Sequence, residues 1–408
     1  MLVNPFTPSE IASQPQDFFG RREELNLVER SLNQGSVAID GSIGIGKSSL
    51  LARIRLIMEG FDSSHKSKSV IAVGDRNIET IDEAARLLLE RFIKIDEKQN
   101  KFSIKLGSFF EYESSEIVHY FKEGRHLSIL KKIVEDEYLS KILNDGEFLI
   151  LAIDEADKCP IPLARLIRSI STHTQQEGVK GIRFLLAGVT PFFTEMVKED
   201  KGITRFFYKT ITLQPMPIED AENLLETKLK IVQLEANKLG FDIKIEPLLL
   251  KHVAELSGGH PHLLQLLGSH LVENEDANPD GKIDRNDLIN SLRKICYEDR
   301  VSVYENTVHE LDLHGKLDNL NKILSKMKLS FPSRISRQTV RNLIDIEEIR
   351  WLTEHNILSM PTPYHYGMVD EFLRVKLMLD EAQTETEIKA KEHRIIYTED
   401  GYDITSEE

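Results

Sequence analysis

Lys47 and Ser48 close the run Gly41-Ser42-Ile43-Gly44-Ile45-Gly46-Lys47-Ser48, which fits the spacing G-x-x-x-x-G-K-[ST]. Residues of these types at this spacing suit the binding of a polyphosphate. The glycines let successive backbone N–H groups curl around phosphate oxygens, and the positive end of a following helix adds to their field. The Lys47 ammonium is expected to reach the β- and γ-phosphates, and the Ser48 hydroxyl a Mg²⁺ ion. Hydrolysis needs two more groups, a carboxylate for the hydrated metal and a base or orienter for the attacking water. Asp154 and Glu155 follow the apolar run Phe148-Leu149-Ile150-Leu151-Ala152-Ile153 and take these two roles in that order. Asp157 reads as a supporting acid.

Phosphate chemistry of this kind requires a strand before the loop and a helix after it. Ser36 to Asp40 is a short apolar stretch suited to a buried strand. Ser49 to Glu59 carries Leu50, Leu51, Ile54 and Ile57 at helical spacing and stops at Gly60. Further strands are predicted at 69–74, 148–153, 182–187 and 208–213, with helices about 18–34, 81–95, 163–171 and 192–201 between them. Strands alternating with helices predict an α/β P-loop fold, a doubly wound parallel sheet of five strands over residues 1–216. Residues 96–146 are ambiguous: Phe102 to Tyr112 reads as hairpin or loop, and Ile117 to Leu143 as helical. From Pro217 the strands stop. Helical periodicity over 218–239 and 246–272, broken at Gly258-Gly259, predicts a helical lid at 217–275. The polar stretch Glu273 to Asp284 is the best linker candidate. Residues 285–380 hold several helices and a short hairpin around Pro361-Thr362-Pro363, a winged-helix-like pattern. Residues 381–408 are acidic and predict a flexible tail.

The 408 residues suffice for two or three domains, and 40% hydrophobic with 29% charged residues describes a globular protein. A net charge of −15 argues against a protein that coats nucleic acid over its whole surface, while leaving room for a local basic patch. No apolar run approaches a membrane span, and the N-terminus carries no secretion pattern. The two cysteines, Cys159 and Cys296, lack metal-ligand spacing. These features predict a cytoplasmic protein. Asp276, Asn278, Asp280, Gly281 and Asp284 fall at the positions of a calcium loop, but its closing residue is Asp287 rather than glutamate; a turn capping the next helix explains the same residues.

Several segments together resemble the AAA+ class and the related STAND regulatory ATPases over roughly residues 17–380. They are the N-terminal box Phe19-Gly20-Arg21-Arg22-Glu23-Glu24-Leu25, the Walker A and Walker B segments, Ala187-Gly188-Val189-Thr190, and Gly258-Gly259-His260-Pro261-His262. The pattern is similar to that of archaeal and bacterial STAND-like and origin-recognition-like ATPases. Asp154-Glu155-Ala156-Asp157 is also the signature of a helicase group, but neither Ser-Ala-Thr nor His-Arg-x-Gly-Arg follows it. The resemblance implies ATP and Mg²⁺ as cofactors, with the nucleotide held by residues 41–49, Ser49 included. It places Phe19 and Arg21 near the adenine and ribose, and Pro261 and His262 near the phosphates from the lid. Thr190 takes the place of a sensor beside the γ-phosphate, or is a polar strand cap. Arg205 takes the place of an arginine finger acting on a neighbouring subunit, or is a solvated arginine. His262 stands where many relatives carry a sensor arginine, which implies slow or switch-like hydrolysis.

Two classes of function remain. One is a nucleotide-driven switch that assembles with itself and controls a protein partner, by analogy in a defence or mobile-element system. The other is a DNA-engaging ATPase whose winged helix reads the duplex. The helix before the hairpin, Asp345 to Ile357, carries four acids and Arg350 alone, which favours the protein switch.

Overall fold

Apolar residues of the central strands alternate between two cores. Val37, Ile39, Ile150, Ala152, Leu185 and Ala187 point to one side, with Val28, Leu32, Leu50 and Ile54 from two helices. Ala38, Leu149, Leu151, Ile153, Phe184 and Leu186 point to the other, with Leu88, Ile129, Leu163 and Ile167 from three more. A strand turns successive side chains to opposite faces, so a sheet apolar on both must be covered on both. That is a doubly wound arrangement.

The computed structural model describes the chain apart from residues 1, 13, 15, 62–66, 97–100, 105–109, 114, 136–137, 141–142, 145, 190, 328–333, 356, 371, 378–379, 381–392, 399–400 and 407–408. The chain forms two compact units, Ile11–Leu213 and Met1–Glu10 with Gln214–Glu408.

In the first unit, strands β1 (Ser36–Gly41), β2 (Lys68–Val73), β6 (Leu149–Asp154), β7 (Ile182–Val189) and β8 (Phe207–Thr212) form one sheet in the order β2-β6-β7-β1-β8. Every neighbouring pair is parallel. The five expected strands are therefore present. The Walker B strand β6 is separated from the loop-bearing strand β1 by β7. The helix expected over 81–95 ends at Phe92, and β3 (Ile93–Asp96) follows. Beyond Leu89 the helical apolar spacing gives way to Ile93 and Ile95 alternating with charged residues, which suits extended chain. With β4 (Lys101–Ile104) and β5 (Phe110–Glu113) it makes an antiparallel three-stranded sheet. The helical stretch after it breaks into Ser115–Lys122 and His126–Ile133, divided at Gly124 with φ 71°. Asp82 accepts from the backbone N–H groups of His126 and Leu127 and so caps the second piece.

The second unit opens with helices Ile218–Lys238, Leu249–Leu256 and Pro261–Ala277. The first residues of the chain run along the last of these. Leu2 N–H donates to Asp276, Asn4 bonds Ser269, Thr7 N–H donates to Gln265, and Lys228 donates to the Pro5 carbonyl. Phe6 is buried against Gly268. This strap contributes to the C-terminal unit rather than to the P-loop unit in which sequence order had placed it. An amphipathic N-terminus with one large aromatic gains more from burial than from staying with its sequence neighbours.

The stretch read as a linker is built into the same unit. The helix continues to Ala277, Lys282–Ile283 pairs in parallel with Lys244–Ile245, and Gly281 N–H donates to Glu275. Asp284 and Asp287 form a capping box on helix Arg285–Lys294, so the calcium-like acids serve a helix start. Among the described residues no group of three or more His, Cys, Asp or Glu could hold a metal ion.

Helix Leu317–Leu324, strand Ile335–Ser336, helices Arg337–Leu343 and Ile346–Glu354, and strands Leu358–Thr362 and His365–Met368 follow in order. The strands form one antiparallel sheet, giving a winged-helix-like topology. The tail expected to be flexible contains an antiparallel hairpin, His393–Thr398 with Gly401–Ser406. Ile395, Ile396 and Tyr397 on one side of Gly401 and Tyr402, Ile404 and Thr405 on the other are residues that favour strand. Among the described residues no helix is long and apolar enough to cross a membrane.

Candidate nucleotide site

β1 delivers the chain to the loop, and helix Lys47–Leu56 carries it away. Gly44 and Gly46 have φ of 75° and 98°, the left-handed region that only glycine enters freely. A Cβ on Gly41 would meet Ile45 Cγ2 at 2.8 Å, so that position is also closed to side chains. Between the two left-handed glycines, Ile45 is buried in the core beneath the loop, while Ile43 stands exposed. The first N–H groups of a helix have no intrahelical acceptor, and those of helix 47–56 begin where the loop ends.

Lys47 is buried, and its Nζ donates to the carbonyl oxygens of Gly41 and Ser42 at 2.9 and 2.8 Å. Burial pushes its ammonium below its ordinary value, against the opposing pull of Asp157, Asp154, Asp40 and Glu155. A buried cation held by carbonyls and surrounded by carboxylates is poised to take anionic oxygens. Ser48 is half-buried in the first turn of the helix. The Ser49 hydroxyl accepts from the N–H of Ala12 at 3.1 Å, so it ties down the approaching chain.

Asp154 ends β6 and is buried, and its Oδ1 accepts from the Glu155 N–H at 2.9 Å. Glu155 has φ 51°, left-handed for a residue with a side chain. This turn is packed against Gly74 at the end of β2, where a Cβ would meet the Glu155 carbonyl oxygen at 2.3 Å. The Glu155 carboxylate is paired with Lys158 Nζ. Asp157 accepts from the Val189 N–H at 2.9 Å and so joins the Walker B turn to the end of β7, the strand lying between β6 and β1. Thr190, the next residue, lies outside the described residues.

Asp40, at the end of β1, is buried, and its Oδ1 has no hydrogen-bond partner among the described atoms. Burial raises its pKa from 3.8 to about 6, with Lys47 pulling the other way. Sequence reasoning missed Asp40, Lys158 and the bridging role of Asp157. An acid within an apolar strand was the available signal for Asp40; the other two depend on the fold of a four-residue turn.

Arg205 is exposed on the turn Lys201–Phe206, its guanidinium 5.2 Å from the centre of the Phe206 ring. Arg168 approaches the same ring at 5.7 Å. Arg205 stands just before β8, whose first residue Phe207 is in register with Ser36 at the start of β1. The P-loop follows the other end of β1, about 16 Å along the strand. Arg205 is therefore at the opposite end of the sheet from Lys47 of the same chain.

Phe19 lies, half-buried, in the N-terminal box before helix Arg22–Leu32. The Arg21 guanidinium is engaged by Glu24 Oε1 at 2.8 Å and the Ile45 carbonyl at 3.2 Å. Pro261 and His262 belong to the C-terminal unit, where Pro261 starts helix 261–277. His262 Nδ1 lies 3.0 Å from the Pro8 carbonyl oxygen. A carbonyl only accepts, so this bond takes the proton on Nδ1 and leaves Nε2 as the one ring nitrogen outside it.

The strand order, with the loop after β1 and Asp154 at the end of β6, defines an α/β P-loop fold, which solved structures share. The Aeropyrum pernix ORC2 protein, solved in ADPNP–ADP complexes, is 14% identical, with 93% of this chain and 98% of that chain covered at a TM-score of 0.51. A Walker-type ATPase of Pyrococcus abyssi is 15% identical, with 91% and 99% covered at a TM-score of 0.57. At these identities the likeness is one of fold. No family model matches the sequence, and no curated protein matches it.

Proposed function

We propose that the protein is an ATP-driven molecular switch of the AAA+/STAND type, which hydrolyses ATP slowly and uses nucleotide-dependent self-assembly to control a protein partner. The observation that carries the reading is Lys47, buried and bonded to the loop carbonyls of Gly41 and Ser42 with the Asp154 and Glu155 carboxylates near it.

The residues fit ATP and Mg²⁺. Lys47 and the loop N–H groups would hold the phosphates, and Ser48 with Asp154 would hold the metal, an oxygen donor pair suited to a hard cation. Bound Mg²⁺ supplies charge neutralisation across the phosphates. Glu155 orients and deprotonates the attacking water once its carboxylate is free of Lys158. Phe19 approaches the base. Arg205, remote from Lys47 of its own chain, serves the nucleotide of a neighbouring copy.

A protein partner is favoured over DNA by the surface of the winged-helix-like region. Asp345, Glu347 and Glu354 are exposed with Arg350 on the helix before the hairpin, while Glu348 is engaged by Lys316 and Asn319. Three acids beside one arginine repel a phosphate backbone. A place in a defence or mobile-element system is an analogy from chains of similar build.

Light scattering of the Glu155→Gln variant tests the reading. Particle mass should rise with ATP and Mg²⁺ and fall back with ADP. A mass unchanged by nucleotide would remove assembly from the account.

A further inference from the structure

We propose that Arg21 is a positioning residue for the phosphate loop, acting through the Ile45 carbonyl rather than by contact with the base or ribose. The inference rests on the reading of residues 41–48 as a nucleotide site.

Arg21 is 6% exposed, unusual for an arginine, and sits at φ 62° directly after Gly20 at φ 61°. Two consecutive left-handed residues turn the chain sharply, and the second has a side chain that disfavours the conformation. The turn delivers the guanidinium inward. Its Nη1 donates to Glu24 Oε1, and its Nη2 donates to the carbonyl of Ile45. The planar guanidinium fork makes both bonds from a single rigid group.

Ile45 is the position where such a bond matters. It stands between Gly44 and Gly46, both left-handed and both free to rotate. A loop of glycines alone would lose conformational entropy when it closed on phosphate. The Ile45 side chain is sunk in the core, with Phe18, Leu25 and Leu27 packed against the same cluster. Arg21 fixes the remaining freedom, the rotation of the peptide plane that joins Ile45 to Gly46. That plane also carries the Gly46 N–H, which points away from its carbonyl. Holding the carbonyl on Arg21 therefore aims the Gly46 N–H to the opposite side, where a phosphate is expected. Both terminal nitrogens of Arg21 are engaged by protein, which suits a group that acts on the loop.

Binding of ATP and of inorganic tripolyphosphate, each with Mg²⁺, separates the two roles. Arg21→Ala should weaken both ligands by the same factor, about 10- to 100-fold, the range for losing a hydrogen bond from a charged group. Arg21→Lys should fail to restore binding, because one ammonium cannot replace the fork. Loss of ATP affinity with tripolyphosphate unaffected would place Arg21 on the base or ribose and overturn the proposal. Because Arg21 is buried, Glu24→Gln supplies a second variant that leaves the core intact. It should weaken both ligands equally and by less, and unchanged binding of both would count against the brace. Lys47→Ala is the control for the site itself: if it binds tripolyphosphate as the wild type does, the phosphate loop has been misassigned, whatever Arg21 does.

Discussion

The Lys47 ammonium lies 2.9 Å from the carbonyl oxygen of Gly41, the residue that opens its own loop. With Ser42 this closes a ring in which the cation of the site is held by the loop it serves. Phosphate oxygens must take over that ammonium, and they do so with full charges where the carbonyls offer dipoles. Lys47→Ala should abolish ATP binding, measured by calorimetry, with little change in melting temperature. Binding within a few-fold of the wild type would show that the lysine is structural.

Asp40 gives the protein a pH signature. Its folded-state carboxyl keeps a proton up to a pH of about 6, against 3.8 ordinarily. Between those values the folded chain binds more protons than the unfolded one, so stability falls as pH rises. The loss amounts to about 3 kcal/mol when complete. Asp40→Asn avoids it. In urea denaturation the stability advantage of the variant should grow by about 2 kcal/mol between pH 4.5 and 7.5. An advantage that is the same at both pH values would show that burial of this carboxylate carries no penalty.

Arg205 cannot reach the nucleotide of its own chain if the register of Phe207 with Ser36 sets its distance from the loop. Specific ATPase activity should therefore rise with protein concentration. Arg205→Ala should keep nucleotide binding and lose turnover, by about 10³-fold if it acts as a finger. Turnover independent of concentration and unchanged in the variant would return Arg205 to the surface, stacked on Phe206.

The N-terminal strap should contribute to the stability of the C-terminal unit. Phe6 is 4% exposed, and a Cβ on Gly268 would come within 2.3 Å of its ring. Phe6→Ala should cost about 3–5 kcal/mol. Gly268→Ala should also destabilise, by overpacking against the ring. Hydrogen exchange would locate the effect in helix 261–277. Unaltered protection there would mean that the strap is a passive attachment.

The sheet was legible because short, mostly apolar runs such as 148–153 alternate with stretches of helical apolar spacing. The loop was legible because glycine, lysine and serine occur there at fixed spacing. Turns that depend on one backbone angle were not. Asp154 ends its strand as expected, but the left-handed turn at Glu155, packed against Gly74, and the pairing of Glu155 with Lys158 are features of the fold that no spacing reveals. Arg21 was read from resemblance as a base contact, and only the fold shows its guanidinium on Ile45. The position of β7 between the two Walker strands is likewise a fact of topology. Sequence order assigns the first ten residues to the sheet domain, and polarity assigns the 273–284 stretch to a linker, yet hydrogen bonds across more than 250 positions in sequence hold Asn4 and Leu2 to helix 261–277.

ATP binding and ATP turnover, measured side by side on the wild type and Glu155→Gln, test the central claim most directly. If Glu155 activates the water beside a nucleotide held by Lys47, the variant binds ATP with Mg²⁺ as tightly as the wild type and hydrolyses it at least 100-fold more slowly, within the range of about 10²–10⁴ for a lost general base. Equal turnover in the two proteins would contradict the account.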